Sequence, residues 1–269
     1  MKRIYEIHDL QAYINWAYFY HAWQLHSTEQ QQQSRAEAEQ VLHQLDGRYR
    51  AYAIFQLFDA NSDGDDIVLL QIGTQQPIAR IPLLRQQSRD SEYLCLSDFV
   101  RPQSAGEPDK IGLFATTVDW GMETDFCHDD YQKMMVQLLA DRLAEATAEK
   151  LHEEVRRKDW GYAPDEQLTI EEQHAERFQG IRPAVGYPSL PDTSLNFLLD
   201  DILHFKEIGI RLTESGAMKP HASVSGMMIA HPQAHYFSIG RIGEDQLRDY
   251  ACRRGIPAEI LRKFLASNL

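Results

Sequence analysis

Cysteine is scarce in this chain. Its three residues, Cys95, Cys127 and Cys252, are far apart and odd in number, which supports neither a disulfide framework nor a Cys-x-x-Cys metal or redox site. They are expected to be buried thiols. Long apolar runs are also missing, with nothing near the roughly 20 residues a membrane-crossing helix needs. The start, Met1-Lys2-Arg3-Ile4-Tyr5-Glu6, lacks the apolar region of a secretory signal. No membrane partner is expected, and the cytoplasm is the expected compartment. Basic residues are outnumbered, 27 Lys and Arg against 40 Asp and Glu, and the formal charge of −13 repels a phosphate backbone. Nucleic acid is therefore not an expected partner. The local exceptions, Arg156-Arg157-Lys158 and Arg253, Arg254, Arg262 and Lys263, read as solvated helix ends or as docking points for an acidic protein. Catalytic signatures are absent as well: no Gly-x-Gly-x-x-Gly after a strand, no Walker loop, no Gly-x-Ser-x-Gly elbow and no His-Glu-x-x-His. Ser215, Ser223 and Ser225 have no recognisable base partner, and His231 and His235 read as turn and strand residues instead of metal ligands.

What is present is an ordinary globular composition, 43% hydrophobic and 25% charged over 269 residues. With no internal repeat and no convincing linker, residues 1–269 read as one domain. Leu10 to Leu25 is too aromatic to leave in water, so it must pack on something. Ser27 to Arg35 is polar and low in complexity, and Ala36 to Leu45 has helical spacing. Tyr49 to Phe58 and Ile67 to Leu70 read as a hairpin. Asp59-x-Asn61-x-Asp63-Gly64 imitates half of a calcium loop, but Leu70 stands where the bidentate Glu belongs. Pro77 to Leu84, Tyr93 to Val100 and Ile111 to Val118 read as extended. A long helix is expected from His128-Asp129-Asp130 to about Lys158, with Met135, Leu139, Leu143 and Ala146 as its apolar stripe and Tyr131, Met134 and Leu138 widening it. Shorter helices are expected over Ile170 to Phe178 and Leu195 to Glu207, with Gly209 past the end of the latter, and Ile210 to Thr213 reads as a strand. Ala222 to Ala230 and Tyr236 to Ile242 read as a second hairpin, and two short helices close the chain.

Three places could hold a ligand. Gly180-Ile-Arg-Pro-Ala-Val-Gly-Tyr-Pro-Ser-Leu-Pro-Asp192 has three prolines that keep the backbone extended, Gly186 for close approach, and Arg182 and Tyr187 as a charged fork and a polar ring. It suits a small polar ligand, or it is a connection with an ordinary ion pair. Asn15, inside the aromatic segment, needs partners from the backbone or from a ligand. Glu145 projects beside Leu138 and Met134 toward the interior or a cleft, where it needs a cation or several donors.

Taken in order, Tyr13-Ile14-Asn15-Trp16, His128-Asp129-Asp130-Tyr131, Ala140-Asp141-Arg142-Leu143-Ala144-Glu145, Trp160-Gly161-Tyr162-Ala163-Pro164, Gly180 to Pro188, Leu212 to Met218 and Ala222 to Gly226 resemble the activation domain of cobalamin-dependent methionine synthase over nearly the whole chain. The resemblance implies an α+β fold, a twisted antiparallel sheet with a long central helix and flanking helices. It implies binding of S-adenosylmethionine, whose methyl group is supplied for reductive remethylation of cob(II)alamin while flavodoxin or an equivalent reductase supplies the electron. In this setting Arg182 pairs with the ligand's carboxylate and Glu145 accepts from its ammonium. Main-chain groups around Ala184 and Gly186 address the adenosyl part, and Tyr187, Tyr236 and Phe237 match the family's aromatic positions. No acid or base is required, because the sulfonium is already activated.

One position departs from the pattern, since the family often has Asp where this chain has Asn15, so a weaker hold on the ammonium is expected. The parts that would bind cobalamin, homocysteine and folate are expected on another polypeptide or in a longer chain, with action in trans on a cobalamin-loaded methionine synthase. Competing readings are a sensor of S-adenosylmethionine without cobalamin chemistry and a reductase-like enzyme of cobalamin processing.

Overall fold

A computed structural model describes residues 1–88 and 91–269. The chain opens with β1 (Lys2–Glu6), α1 (Ile7–Leu10), α2 (Trp16–Ala22) and α3 (Thr28–Leu45), continues through β2 (Arg50–Asp63), β3 (Asp66–Leu70), β4 (Pro77–Pro82) and β5 (Asp109–Val118), and then enters α4 (Gly121–Thr124) and α5 (Asp130–Glu154). After α6 (Ile170–His174) and α7 (Leu195–Leu203) come β6 (Arg211–Leu212), β7 (Met218–Lys219) and β8 (Ser223–Met228), and α8 (Glu244–Arg254) and α9 (Ala258–Phe264) end it. The main sheet is antiparallel in the order β4-β3-β2-β5-β8, and the 14 residues of β2 are long enough for one edge to take both β1 and β3. No helix among the described residues is long and apolar enough to cross a membrane.

Side chains alternate across the sheet as a pleated strand requires. Ala51, Ala53 and Phe55 of β2, Phe114 and Val118 of β5 and Val224 and Met228 of β8 face α5, where Met135, Leu139 and Leu143 meet them together with Phe19 of α2. Ile54 and Phe58, Ile111 and Leu113, and Met227 face the other way, onto Leu195, Leu199 and Leu203 of α7. Each of the Val, Leu, Ile, Phe and Met side chains so removed from water stabilises the fold by about 1.5–3 kcal/mol. α5 starts where Asp129 accepts from the Tyr131 and Gln132 amides, and its alanines let it lie close to the sheet: the Thr116 hydroxyl donates to the Ala144 carbonyl at 3.1 Å.

The Pro-rich ribbon is part of this sheet's edge. Ile181 pairs with Ile229 and Ala184 with Gly226, the Val185 amide donates to the Ser225 carbonyl, and the Met227 amide donates to the Pro183 carbonyl, a bond that Pro183, lacking an N–H, does not return. Such closeness depends on Gly226, where a Cβ would stand 2.2 Å from the Pro183 carbonyl oxygen. The ribbon therefore occupies the edge of β8 that the expected hairpin with Tyr236 to Ile242 required. That later segment is irregular instead, a correction to the sequence reading.

Other expectations also change. Tyr93 to Val100 ends in a 3-10 turn, Leu96–Phe99, whereas of the two expectations for the polar stretch before Ala36, one surface helix or a flexible entry to it, the single helix holds, started by the capping box of Ser27 and Gln30. The helix expected to run to Phe178 stops at His174, and the one expected to reach Glu207 breaks at His204, which is left-handed at φ 59°. Asp59 to Asp63 lie within β2, paired with β3 up to Asp63↔Asp66, so they form a hairpin strand and not a calcium loop. Tyr131 and Met134 are exposed, outside the stripe that faces the sheet. Cys95 is buried, but Cys127, in the turn before α5, and Cys252, on the outer face of α8, are exposed. Arg156 is no solvated helix end. The helix widens to a π-turn over Val155–Asp159, and this turns Arg156 fully inside, onto Glu166 at 2.6 Å.

Candidate functional site

A cavity of about 580 Å³ lies between α5, the start of α2, the ribbon and residues 236–238. That is within the range of roughly 300–1,000 Å³ common for small-molecule sites. Asn15, Glu145, Arg182, Ala184, Tyr187, Tyr236 and Phe237 all line it. Gly186 is not among the lining residues; with φ 90° it forms a turn in which its amide donates to the Leu190 carbonyl at 2.8 Å. That turn presents Tyr187, Pro188 and Ser189 to the cavity.

Arg182 is fixed from both sides. Its amide donates to the Tyr236 hydroxyl at 2.9 Å, and its Nη2 donates to Glu149 Oε1 at 2.6 Å. Burial, the largest single influence, works against the guanidinium charge, but Glu149, Tyr236 and Glu145 together outweigh it and keep the pKa above the ordinary arginine value. The pair is incomplete: Arg182 Nε and Glu149 Oε2 are buried without a hydrogen-bond partner among the described residues, and so is Arg142 Nε. All three residues line the cavity, and charged groups of both signs with unused hydrogen-bonding capacity there fit a ligand that carries charges of both signs. Glu145 Oε1 accepts the Tyr187 hydroxyl at 2.7 Å, and burial together with that carboxylate raises the pKa of the phenol. Asn15 caps α2, its Oδ1 accepting the Ala17 amide at 3.1 Å, and the residue also lines the cavity.

Sequence reasoning passed over Glu149, Glu176, Arg142 and Tyr18, which also line the cavity. Glu149 was accessible to it, because four residues after Glu145 on one helix is the same face. Tyr18, under the Arg142 guanidinium at 5.6 Å, is the member of the aromatic segment that stays out of the core at the cavity's rim. A recess of about 170 Å³ adjoins the cavity and shares Arg142, Glu145 and Tyr187 with it.

One turn beyond Glu149, His152 is fully buried, with Nε2 3.4 Å from the Tyr162 hydroxyl and its ring edge-on to Phe178. Burial, and then Arg156 and Arg182, hold its pKa well below the ordinary 6.5. The unfolded chain therefore binds one proton more than the folded chain below about pH 6.5, and stability falls with pH by up to about 1.4 kcal/mol per unit from this group. A urea midpoint that drops between about pH 7.5 and about pH 5.5 in the parent, and much less in His152→Gln, is the expected result. Equal drops in both proteins would contradict it.

With this geometry in hand, the comparisons with known proteins are decisive. The family model for the activation domain of vitamin B12-dependent methionine synthase matches residues 6–255. The chain belongs to this family. A crystal structure of the MetH reactivation domain bound to AdoHcy superposes with a TM-score of 0.92 at 38% sequence identity, covering 100% of this chain and 90% of that one. The α+β architecture around an antiparallel sheet with a long central helix is thus that of a methionine synthase reactivation domain.

Proposed function

We propose that this activation domain binds S-adenosylmethionine in the cavity between α5 and the ribbon and supplies its methyl group for reactivating the cobalamin of methionine synthase, acting in trans on a cobalamin-holding chain. The observation that carries this reading is the Arg182–Glu149 pair, which lines the cavity with opposite charges and with hydrogen-bonding capacity left unused on both partners. Arg182 Nε suits the ligand's carboxylate, and Glu145 and Glu149 suit its ammonium. Three carboxylates, Glu145, Glu149 and Glu176, against two guanidiniums, Arg142 and Arg182, leave the wall with an excess of negative charge, which favours a ligand of net positive charge over its neutral demethylated product. Ala184, Tyr236 and Phe237 offer backbone and aromatic surface to the adenosyl part. The bound sulfonium supplies an activated methyl group, so the chain's own work is to hold and orient it. The absence of a nucleophile–base pair from the sequence agrees with that division of labour. Flavodoxin or an equivalent reductase is the proposed source of the electron.

Calorimetry with S-adenosylmethionine tests the binding half. The other half is tested by adding the chain to a cob(II)alamin-loaded methionine synthase lacking its own activation domain, with a reductant, and following methylcobalamin by absorbance. Methylation that depends on the added chain is expected; tight ligand binding with no methylation would point to a sensor and overturn the reactivation role.

Position 15 gives a sharper test. Asn15 Oδ1 already accepts the Ala17 amide, and the second lone pair it keeps is a neutral acceptor, weaker toward an ammonium than a carboxylate oxygen. An aspartate would cap α2 as well and offer a second, charged oxygen. Asn15→Asp is expected to tighten S-adenosylmethionine binding about fivefold, since a hydrogen bond to a charged group is worth roughly 1 kcal/mol more than a neutral one. Unchanged or weaker affinity by calorimetry would sink the assignment of Asn15 to the ammonium.

A further inference from the structure

α8 contributes none of the cavity's lining residues, yet it is bonded to the ribbon's far end. Asp192, 1% exposed, closes the ribbon. Its carboxylate accepts the Ser194 amide at 2.9 Å, the Ser194 hydroxyl at 2.8 Å and the Tyr250 phenol at 2.7 Å. Arg254 stands 4.0 Å from the same carboxylate and donates to the Ser194 hydroxyl at 3.1 Å. Tyr250 is itself 1% exposed, and burial followed by the Asp192 charge raises its pKa well above the ordinary value, so it remains a donor throughout the accessible pH range.

α8 is also tied to the opposite edge of the sheet, from both its first and its last turn. Gln246 exchanges two hydrogen bonds with the Arg85 main chain, at 2.7 and 2.9 Å, and Arg253 donates to Asp66 and to the Leu83 carbonyl. The same helix backs the second cavity wall, because Ile239 and Ile242 pack with Leu247 and Tyr250, and the Ile239 amide donates to the Pro188 carbonyl at 2.9 Å. The first half of the ribbon is zipped onto β8, so the half whose position is open is the turn from Gly186 to Leu190 that carries Tyr187, Pro188 and Ser189 into the cavity. Tyr187 is bonded to Glu145 and Leu190 is buried in the core; the turn is further held by Asp192, bonded to Tyr250, and by the Pro188–Ile239 bond, whose Ile239 packs with Tyr250.

We infer that the Asp192–Tyr250 bond is a positioning device that sets the spacing between the ribbon turn and residues 236–238, and through it the affinity for S-adenosylmethionine, with no contact to the ligand. This rests on the reading of the cavity given above. Small displacements of a binding wall cost affinity because the polar atoms that must meet the ligand are few and directional. Without the phenol hydroxyl, Asp192 keeps Ser194 but loses its hold on α8, and the turn is free to drift outward.

The test compares Tyr250→Phe with Leu261→Ala, which removes fully buried packing from α9 and leaves Asp192 untouched. Tyr250→Phe is expected to weaken S-adenosylmethionine binding about tenfold by calorimetry, as the loss of one hydrogen bond to a charged group can. It should also speed hydrogen exchange at the Gly186 and Ile239 amides. Leu261→Ala should lower the melting temperature at least as much and leave both affinity and those two amides within about twofold of the parent. Should Tyr250→Phe fail to fold, Asp192→Ala takes its place, removing the acceptor and with it the bond to the phenol. Parent-like affinity in the variant, or an equal loss in Leu261→Ala, overturns the inference. If the parent itself does not bind S-adenosylmethionine, the cavity reading fails, and the exchange rates alone then decide whether Tyr250 anchors the turn.

Discussion

Arg182→Lys is expected to weaken the binding of S-adenosylmethionine about a hundredfold, the largest functional effect of any single substitution in the cavity. The guanidinium has two tasks. One arm, Nη2, is committed to Glu149 at 2.6 Å, and Nε, buried and unpartnered among the described residues, is left for an incoming carboxylate. A lysine ammonium is a single point at the end of a flexible stem and cannot meet both carboxylates with the same geometry. One charge-assisted bond at a buried site is lost, and such losses cost about 2–3 kcal/mol. The fold should suffer less than the affinity, because the lysine still neutralises Glu149. Calorimetry alongside thermal unfolding separates the two, and an affinity within about threefold of the parent would show that the carboxylate is held elsewhere.

The largest expected effect on stability belongs to Glu166→Gln. Arg156 is fully buried over the Phe178 ring at 4.2 Å, and Glu166, with 8% of its side chain exposed, is its counter-charge, accepting from Nε at 3.0 Å and Nη2 at 2.6 Å. The Arg156 Nη1 group already has no partner among the described residues. Neutralising Glu166 would leave a full positive charge in the interior, which costs about 3 kcal/mol or more, or roughly 6–12 °C of melting temperature in a chain of this size. Replacing both residues, Arg156→Met with Glu166→Gln, removes the stranded charge and should recover at least half of the loss. A change below about 1 kcal/mol in the single variant would mean that water reaches Arg156.

The elements that could be read from the sequence are those whose determinants lie close together in the chain. α5 was legible because Asp129 caps it and Met135, Leu139 and Leu143 recur at helical spacing over the sheet. The hairpin of β2 and β3 was legible because its turn residues are local. The ribbon's extended backbone followed from Pro183, Pro188 and Pro191, but not its pairing, since Ile181 meets Ile229 and Ala184 meets Gly226 across an intervening helix and hairpin. Nothing local says that a proline-rich segment, and not the next apolar run, will take the free edge of β8. Arg156 was misread for a related reason: a basic helix end normally stays in water, and the π-turn that carries it inward depends on Glu166 ten residues later. In the cavity, Arg182 and Glu145 stood out as charges in apolar or rigid surroundings, and the aromatic pair Tyr236 and Phe237 came from the family resemblance alone. Glu149 shares the face of Glu145 by its spacing of four, but its partner Arg182 lies 33 residues later in the chain, so nothing local marks it as the counter-charge.

The most direct measurement is a crystal structure of this chain grown with S-adenosylmethionine. The ligand's carboxylate should lie within hydrogen-bonding distance of Arg182, its ammonium toward Glu145 and Glu149, and its adenosyl part against Ala184, Tyr236 and Phe237. A ligand bound outside this cavity, or one inside it that leaves Arg182 paired to Glu149 alone, would contradict the account.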